Sequence, residues 1–239
     1  MRPGPSVGGT LDRVTDLHVC NLGEIEYGEA VALQERIRTR VHDGELPGVL
    51  LLLEHPPVYT RGRRSDATEL PMGEDWYRSQ GIDVVKTDRG GKLTYHGPGQ
   101  LVGYPIMRIE DVVAYLRTME EAIVAALAQE GIAAGPREGL TGVWVEDRKI
   151  GSIGVHVSRG VTTHGFAINV DNDLQPFEWV VPCGLDGVRM TSVTKETGEG
   201  DHLDCFRRRM GLAFCEAFGR RQRLVTPERL QAVPVLSGR

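Results

Sequence analysis

Residues 142–170 read GVWVEDRKIGSIGVHVSRGVTTHGFAINV, and this stretch decides the fold class. Three runs of mostly apolar or small residues, at 142–145, 149–157 and 162–170, are separated by short polar segments at 146–148 and 158–160. Runs of this length, bounded by polar or glycine-containing turns, are typical of strands that pair as hairpins. The stretch therefore predicts three consecutive strands joined by tight turns.

Helical spacing is found on both sides of this stretch. Residues 27–41, 112–127 and 203–218 carry apolar side chains three and four positions apart, as in amphipathic helices. Asp111 is placed to cap the second helix and Gly131 to end it. Further strands are predicted at 17–21, 49–53, 82–85, 101–109 and 188–194, with a long loop at 171–187. The fold class is therefore α/β (α+β), with a mixed, largely antiparallel sheet flanked by helices.

Length and composition favour one catalytic domain. The chain has 239 residues, 40% of them apolar and 26% charged, which is ordinary for a globular protein and argues against disorder or a coiled coil. We divide the chain into a flexible N-terminal lead at 1–14, a single domain at 15–223 and a C-terminal tail at 224–239. A small C-terminal subdomain that begins after Gly187 is the alternative.

Charge and hydropathy argue against nucleic-acid and membrane partners and indicate a compartment. The formal net charge is −5, which argues against a chain whose main task is to bind DNA or RNA. The longest purely apolar run is 49–53, far short of the roughly 20 residues that span a bilayer. No apolar stretch follows the N-terminal methionine closely enough for a signal peptide. We therefore expect a cytoplasmic protein with no nucleic-acid and no membrane partner.

A glycine-rich segment, RGGKLTYHGPGQL at 89–101, is the first that could carry chemistry. Its glycines let the backbone turn sharply and approach a ligand closely, and Arg89 and His96 add polar groups. The spacing matches neither a P-loop nor a dinucleotide-binding fingerprint. The segment also fits an ordinary glycine-rich hairpin, and its composition alone does not choose between the two interpretations.

Two of the predicted strands carry polar residues among small ones. KIGSIG at 149–154 begins with a lysine, and Gly151, Ser152 and Gly154 leave room above the strand. THGFAIN at 163–169 places His164 where a cleft could be lined. Each residue also has an ordinary interpretation, because a lone lysine after the charged turn 146–148 is commonly solvated and a strand histidine is commonly structural.

The four cysteines differ in their surroundings. Cys20, Cys205 and Cys215 lie in apolar strand or helix patterns, so we expect them to be inert, whereas Cys183 lies between a proline and a glycine in a turn. Cys183 is therefore the candidate nucleophile, and a nearby base or cation must activate its thiol. Lys149, His96 and His164 are the candidates. No C-x-x-C pair occurs, and we predict no metal site.

Arginine is concentrated at 207–209, within the predicted C-terminal helix, and at 220–221, just after it. These side chains could form a docking patch for an acidic partner. The simpler interpretation, which we prefer, is that they form the solvated face and C-terminal end of the helix, where the helix dipole favours positive charge.

Taken together, the segments resemble the lipoyl(octanoyl) transferases, or octanoyl-[acyl-carrier-protein]:protein N-octanoyltransferases. RGGKLTYHGPGQL, KIGSIG, THGFAIN and PCGL occur in the order of that family, and LEHPPVYT at 53–60 is similar to its L-E-H-x-P-V-Y-T motif. Gly151 stands where many members have alanine. The resemblance runs from about residue 17 to the C-terminal helix. It implies the biotin/lipoate protein ligase-like fold.

The resemblance also implies a reaction. An octanoyl group would move from acyl carrier protein to a lysine on lipoyl domains, such as those of 2-oxoacid dehydrogenase E2 subunits, or on the glycine cleavage H protein, and no cofactor would be needed. By motif position, Cys183 is similar to the family's acyl-thioester nucleophile and Lys149 to its partner. The implied acyl-binding residues are Arg89, Gly90, Gly91, Lys92, Leu93, Thr94, Tyr95, His96, Ser152, Ile153, Gly154, Gly165, Phe166 and Ala167.

Four alternatives remain open at this point. An amidotransferase of the same superfamily would move octanoyl between two protein lysines, and an ATP-dependent lipoate ligase would need no nucleophilic cysteine. A non-catalytic acyl-binding module would leave Cys183 inert. A cysteine–histidine thioesterase using His96 or His164 would release free octanoate.

Overall fold

The computed structural model describes residues 15–180 and 188–231. Its strands are β1 (Asp16–Glu24), β2 (Gly48–Glu54), β3 (Val58–Arg61), β4 (Asp83–Lys86), β5 (Leu93–His96), β6 (Gln100–Ile106), β7 (Gly135–Arg137), β8 (Leu140–Val145), β9 (Arg148–Ser158), β10 (Val161–Asn169), β11 (Arg189–Met190) and β12 (Arg221–Leu224). Its α-helices are α1 (Tyr27–His42), α2 (Glu74–Ser79), α3 (Val112–Ala128), α4 (Gln175–Glu178), α5 (Val193–Thr197), α6 (Leu203–Ala217) and α7 (Pro227–Gln231).

Two sheets organise the described residues. The larger has the order β12-β1-β2-β6-β10-β9-β8-β7, with β11 also pairing with β9. The ladders from β2 through β7 are antiparallel, while β1 pairs parallel with β2 and β12, and β11 pairs parallel with β9. The smaller sheet has the order β4-β3-β5. The predicted mixed, largely antiparallel sheet is therefore confirmed.

The apolar run in β2 explains how helices cover both faces of the large sheet. Its side chains alternate across the sheet, as strand geometry requires. Leu50 and Leu52 join the core beneath α3 and α6, whereas Val49, Leu51 and Leu53 join the core beneath α1. All five are buried. A strand buried on both faces reads as a continuous apolar run, which is why the pattern does not alternate in the sequence.

The predicted long helices form, with one difference in α3. The Asp111 carboxylate accepts hydrogen bonds from the backbone N–H groups of Val113 (2.7 Å) and Ala114 (3.1 Å), so the cap is confirmed. The predicted apolar stripe is too wide at its start, because Val112 and Val113 are exposed. They lie in the first turn, before the helix reaches the core.

The strand predicted at 188–194 forms only at Arg189–Met190 and is wrong elsewhere. Only β11 pairs with the sheet, and the chain then turns into α5. The Ser192 hydroxyl accepts from the backbone N–H of Lys195 at 3.2 Å, and Gly198 ends the helix in a left-handed conformation. Local capping therefore prevails over the β-branched composition of this segment. The loop predicted at 171–187 also contains a short helix, α4, in its described part.

Residues 188–231 return to the same framework and form no separate subdomain among the described residues. Helix α6 packs against α3, and β12 joins the large sheet beside β1. In the predicted tail, Leu230 of α7 is buried in the core beneath α1. The predicted lead at 1–14 and the rest of the tail, 232–239, lie outside the described residues. No described helix is long and apolar enough to cross a membrane.

Candidate active site

The predicted chemical segments meet around one cavity on the large sheet. The cavity encloses about 530 Å³, including the part open to solvent. Its walls are formed by Tyr27, Arg89, Gly91, Lys92, Leu93, Thr94, His96, Tyr104, Lys149, Ser152, Ile153, Gly154, His164, Gly165, Phe166 and Ala167. We call it the acyl cavity.

Antiparallel pairing explains why residues 152–154 and 165–167 share this wall. In the ladder between β9 and β10, Ser152 faces Ala167 and Gly154 faces Gly165. Both members of the Gly154–Gly165 pair must be glycine, because a side chain at either position would meet backbone. A Cβ at Gly165 would lie 2.2 Å from the carbonyl oxygen of Gly103, and one at Gly154 would lie 2.8 Å from that of Gly90. The small residues noted in the sequence therefore make room for neighbouring backbone as well as for a ligand.

Lys149 is a buried lysine, not a solvated one. It is the second residue of β9, and 7% of its surface is exposed. Its ammonium nitrogen lies 5.5 Å from the ring centroid of Trp144, within cation–π range. Its carbonyl accepts a hydrogen bond from the backbone N–H of Thr191 at 3.0 Å, which ties β9 to the chain after β11. The interpretation of Lys149 as an ordinary surface lysine is therefore wrong.

Gly142 holds the space through which the Lys149 stem runs. A Cβ at Gly142 would lie 2.8 Å from Cε of Lys149 and 2.5 Å from the carbonyl oxygen of Gly151. The residue has φ +124°, and its backbone N–H donates to the buried carboxylate of Glu120 at 3.0 Å. Sequence reasoning missed this residue because an isolated strand glycine also marks bulges and bends.

We expect the substitution Gly142→Ala to lower the rate of the acyl transfer that the sequence resemblance implies by about a hundredfold, because displacing a reacting group, the role that the resemblance implies for Lys149, by about 1 Å has an effect of that size. The control is Gly131→Ala. Gly131 also has positive φ, at 77°, but a Cβ there meets nothing within 4 Å. Both variants place an alanine at positive φ, so the difference between them reports the crowding at Gly142, where the added Cβ meets both the Lys149 stem and the carbonyl oxygen of Gly151. Equal rates for the two variants, measured at equal folded fraction, would rule out this role for Gly142.

The loop at 89–96 is fixed through Arg89. The Arg89 guanidinium donates to the buried Thr60 hydroxyl from Nε at 3.1 Å and from Nη2 at 2.8 Å, and Nη1 donates to the carbonyl of Gly90 at 3.1 Å. The backbone N–H of Gly90 donates to the carbonyl of Val155 at 2.9 Å. Arg89 thus joins the small sheet to the large one at the cavity wall.

Two of the predicted acyl-binding residues do not line the cavity. Gly90 lies behind the wall and makes the hydrogen bond to β9 described above. Tyr95 lies in the core of the small sheet, with its ring centroid 5.5 Å from that of Phe177. Both residues position the loop instead of contacting the cavity space. The other members of 89–96, and all of 152–154 and 165–167, line it.

One end of the acyl cavity is closed by a buried group of rings. Tyr27, His55, His96 and Tyr104 have neighbouring ring centroids 5.2 to 6.2 Å apart. Nδ1 of His55 lies 2.7 Å from the carbonyl of Ile25, so it donates, and its Nε2 accepts from the Tyr104 hydroxyl at 2.7 Å. Tyr27 and Tyr104 were not predicted as site residues, because in the sequence they are indistinguishable from core aromatics.

The histidines of the site are held in their neutral forms by burial. Burial lowers the pKa of His55 to about 4 and the pKa of His96 well below its usual value near 6.5. Nδ1 of His96 lies 2.7 Å from the side-chain oxygen of Gln100. Because the Gln100 amide nitrogen donates to Tyr95 and Asn169, this oxygen is the acceptor, and His96 carries its proton on Nδ1.

His164 is fixed by a carboxylate and by an unusual backbone conformation. Its Nε2 donates to Asp88 at 2.8 Å, and burial lowers its pKa although Asp88 opposes the shift. Nδ1 is buried and has no hydrogen-bond partner among the described residues. The residue has φ +57°, and its backbone N–H donates to the Gln34 side chain at 2.6 Å. His164 lines the cavity, as predicted. No cysteine among the described residues lines the cavity with it, so the predicted pairing of His164 with a thiol is not seen in this part of the chain.

The burial of His55 predicts an acid-sensitive fold. The unfolded chain protonates this histidine near pH 6.5 while the folded chain resists protonation down to about pH 4, so stability falls as the pH falls through this window. We expect His55 to contribute a loss of about 2 kcal/mol in unfolding free energy between pH 7 and pH 5. The unfolding free energy of His55→Gln, measured with denaturant, should fall by about 2 kcal/mol less than that of the wild type between pH 7 and pH 5. An identical pH dependence in both proteins would contradict the assignment.

The cysteines fall into three groups. Cys20 and Cys215 are buried, and burial raises the pKa of each thiol to about 11, which agrees with the predicted inertness. Cys205 is exposed on α6, so its predicted placement in an apolar helix face is wrong. The Phe206, Met210 and Phe214 stripe takes the buried face, and Cys205 precedes it by one residue. Cys183 lies outside the described residues.

The arginines of α6 form ion pairs instead of a solvated face. Arg207 is half-buried and lies 2.7 Å from Glu54, whose other oxygen accepts from the backbone N–H of Gly99 at 2.8 Å. Arg209 pairs with the buried Glu130. Both lie in the first half of the helix, so the preferred interpretation is wrong for these two residues. Arg208 is exposed, and so is Arg221, which follows the C-terminal end of the helix and lies 2.6 Å from Asp16. Among the described residues, no group of three His, Cys, Asp or Glu side chains is arranged to hold a metal ion.

Comparisons with known proteins agree with this architecture. The model of the family "Lipoyl protein ligase A/B catalytic domain" matches residues 26–215. An octanoyltransferase of Mycolicibacterium smegmatis is 45% identical over 213 residues, covering 85% of this chain and 90% of that protein. An octanoyltransferase of Solibacter usitatus is 51% identical over 168 residues, covering 69% of this chain and 76% of that protein.

Similar solved structures confirm the predicted fold family. A putative lipoate protein ligase of T. acidophilum with bound lipoic acid has a TM-score of 0.69 at 19% identity, covering 90% of this chain and 93% of that chain. Lipoate-protein ligase A bound with ATP has a TM-score of 0.67 at 19% identity, covering 91% and 92%. At this identity the likeness concerns the fold alone.

Proposed function

Since the chain belongs to the lipoyl protein ligase A/B catalytic domain family and is an octanoyltransferase of protein lipoylation, we propose that it takes its octanoyl group from acyl carrier protein and carries it on Cys183. The substrates that accept the group are lipoyl-domain proteins. We propose the E2 subunits of 2-oxoacid dehydrogenases and the glycine cleavage H protein as these acceptors, and the cytoplasm as the compartment.

The acyl cavity is the observation that carries this proposal. Its lining includes the apolar or small side chains of Leu93, Ile153, Phe166 and Ala167, and Lys149 also lines it. Burying an alkyl chain contributes about 0.8 kcal/mol per CH₂. An eight-carbon chain therefore gains several kcal/mol more than a short acyl group, which favours octanoyl over acetyl.

The first half of the reaction is a thioester exchange. The Cys183 thiolate attacks the carbonyl carbon of the octanoyl thioester, the bond to the carrier's sulfur breaks, and the carrier leaves as a thiol after taking up a proton from the Lys149 ammonium. Lys149 is then neutral and able to accept a proton in the second half. One thioester replaces another, so the step is close to thermoneutral and needs no ATP. The Lys149 ammonium favours the thiolate by charge, as a neighbouring cation does for a reactive cysteine.

The second half forms the amide. The neutral amine of the acceptor lysine attacks the Cys183 thioester, the C–S bond breaks, and the thiolate is regenerated while the amine nitrogen loses a proton. Lys149 is the proposed acceptor of that proton. Burial of its side chain supports this role, because desolvation favours the neutral form of a lysine. The scheme uses no metal and no cofactor.

The test is octanoyl transfer from octanoyl-acyl carrier protein to an apo lipoyl domain with no ATP present. We expect the acceptor to gain one octanoyl group on its lysine, located by peptide mapping. A reaction that requires free octanoate and ATP would contradict the proposal in favour of a ligase. Octanoylated H protein as the obligatory donor would contradict it in favour of an amidotransferase.

A further inference from the structure

One carboxylate of helix α3 is buried against strand β8. Glu120 is 2% exposed, although the next residue of the helix, Glu121, faces solvent. Acidic side chains are rarely buried unless their oxygens have partners. Here both oxygens have one. Oε1 of Glu120 accepts from the backbone N–H of Gly142 at 3.0 Å, and Oε2 accepts from the Arg117 guanidinium at 2.6 Å.

The two partners of Glu120 differ in their surroundings. The Arg117 side chain is 55% exposed, so water can take the place of Glu120 as its partner. Gly142 is buried, and it has no partner in the register of β8 with β7 or with β9. A buried backbone N–H outside the ladder needs an acceptor from elsewhere, and Glu120 supplies it. The Glu120 carboxylate therefore fixes the backbone of β8 at Gly142.

The ladder between β8 and β9 is irregular beside Gly142. Two neighbouring residues of β8, Val143 and Trp144, pair with residues that lie two positions apart in β9. The residue paired with Trp144 is Lys149. This arrangement is a β-bulge, and bulges next to active sites redirect side chains. The direction of the Lys149 side chain therefore depends on the backbone geometry of β8 as well as on the alternation along β9.

Gly142 and the Lys149 side chain are also in close contact. An added Cβ at Gly142 would lie 2.8 Å from Cε of Lys149 and 3.4 Å from its Nζ. Lys149 in turn lines the acyl cavity. Closely packed groups transmit a displacement from one to the next. A shift of the Gly142 backbone would therefore move the Lys149 ammonium.

We propose that Glu120 is a positioning residue of the octanoyl transfer: its carboxylate holds the backbone N–H of Gly142, and the bulge held in this way places the Lys149 ammonium at the acyl cavity. Glu120 does not line the cavity, so it acts through Lys149. The acceptor oxygen carries this effect, and the negative charge does not. This inference rests on the proposed function, because it takes Lys149 as the group that activates Cys183.

The experiment compares Glu120→Gln with Glu120→Met. Both substitutions remove the charge and leave an unbranched side chain of similar length, but only the amide keeps an oxygen that can accept from Gly142. The Arg117 side chain is exposed enough to turn to solvent, so it need not compete for that oxygen. Glu121→Gln is the control, because it removes an exposed charge from the next residue of α3. Denaturant unfolding gives the folded fraction to which every rate is normalised.

Single-turnover acylation by octanoyl-acyl carrier protein is measured over a series of donor concentrations. We expect Glu120→Met to lower the maximal rate by about tenfold or more, since a displacement of about 1 Å lowers a rate by about a hundredfold. The half-saturating donor concentration should be unchanged, because the lining of the acyl cavity is intact. Glu120→Gln and Glu121→Gln should keep the wild-type rate.

The second readout is alkylation of Cys183 by iodoacetamide over a series of pH values, located by peptide mapping. The pH of half-maximal alkylation should rise in Glu120→Met, because a displaced ammonium favours the thiolate less. It should stay at the wild-type value in Glu120→Gln and in Glu121→Gln. A residue that only stabilised the fold would lower the unfolding free energy without moving this midpoint.

A wild-type rate and a wild-type alkylation midpoint in Glu120→Met would overturn the proposal. So would equal losses in Glu120→Met and Glu120→Gln, which would assign the effect to the charge instead of the hydrogen bond. Failure of the proposed function is distinguishable, because the wild type itself would then gain no octanoyl group on Cys183.

Discussion

The substitution Cys183→Ser should abolish the acyl-thioester enzyme and lower octanoyl transfer at least a thousandfold. A serine hydroxyl is a far weaker nucleophile than a thiolate at neutral pH, and any ester it formed would resist neutral hydroxylamine, unlike a thioester. The size follows the roughly 10³-fold or larger losses seen when a covalent nucleophile is removed. The measurement is the intact mass of the enzyme after mixing with octanoyl donor, followed by hydroxylamine.

Cys205→Ser is the matched control for this prediction. Cys205 is an exposed thiol on α6 and does not line the acyl cavity. Its variant should be acylated and should transfer like the wild type. A hydroxylamine-sensitive octanoyl group on the Cys183→Ser protein, or its loss in Cys205→Ser, would place the nucleophile elsewhere.

The second large effect is expected for Lys149→Met, which preserves most of the apolar stem and removes the charge. We expect overall transfer to fall by about 10²- to 10⁴-fold, the range for removal of a general acid or base. The pH at which Cys183 is half-maximally alkylated should move upward, because the cation that favours its thiolate is gone. Single-turnover acylation and alkylation by iodoacetamide across a pH series measure the two effects.

Lys195→Met is the control for charge alone. Lys195 is exposed on α5 and does not line the acyl cavity, so removal of its charge should change neither the transfer rate nor the alkylation profile of Cys183. An unmoved alkylation profile in Lys149→Met would show that a different group activates the thiol. A normal rate would remove Lys149 from the mechanism altogether.

Much of the fold could be predicted because its signals are local. The turns at 146–148 and 158–160 separate β8, β9 and β10 at nearly the predicted positions, and Asp111 begins α3 as its side-chain chemistry predicts. The uninterrupted apolar run at 49–53 correctly indicates a strand covered on both faces. Each of these features depends on residues within one turn or one strand.

The order of the strands could not be predicted, because it depends on distant pairings. Strand β1 lies between β2 and β12, although Asp16 and Arg221 are separated by most of the chain. At residues 188–194, a local signal gives the wrong prediction. Their composition favours a strand, but the Ser192 cap and the left-handed Gly198 select a helix after two residues of pairing.

The candidate site divides in the same way. Polar residues such as Arg89 and Lys149 stand out among the small and apolar residues of their segments. The family resemblance then assigns these segments to one site. Tyr27 and Tyr104 have the aromatic character of core residues, so only their positions reveal that they line the acyl cavity. Gly142 is significant because of the Lys149 stem beside it, which no sequence pattern contains.

The most direct measurement of the central claim is a two-stage transfer followed by intact mass. The enzyme is mixed with octanoyl-acyl carrier protein without ATP, separated from the donor, and then mixed with an apo lipoyl domain. The account predicts that the enzyme gains one octanoyl group, that the group maps to Cys183, and that the lipoyl-domain lysine gains it at the rate at which the enzyme loses it. An enzyme that gains no octanoyl group, or one whose group appears as free octanoate while the lipoyl domain stays unmodified, would contradict the account.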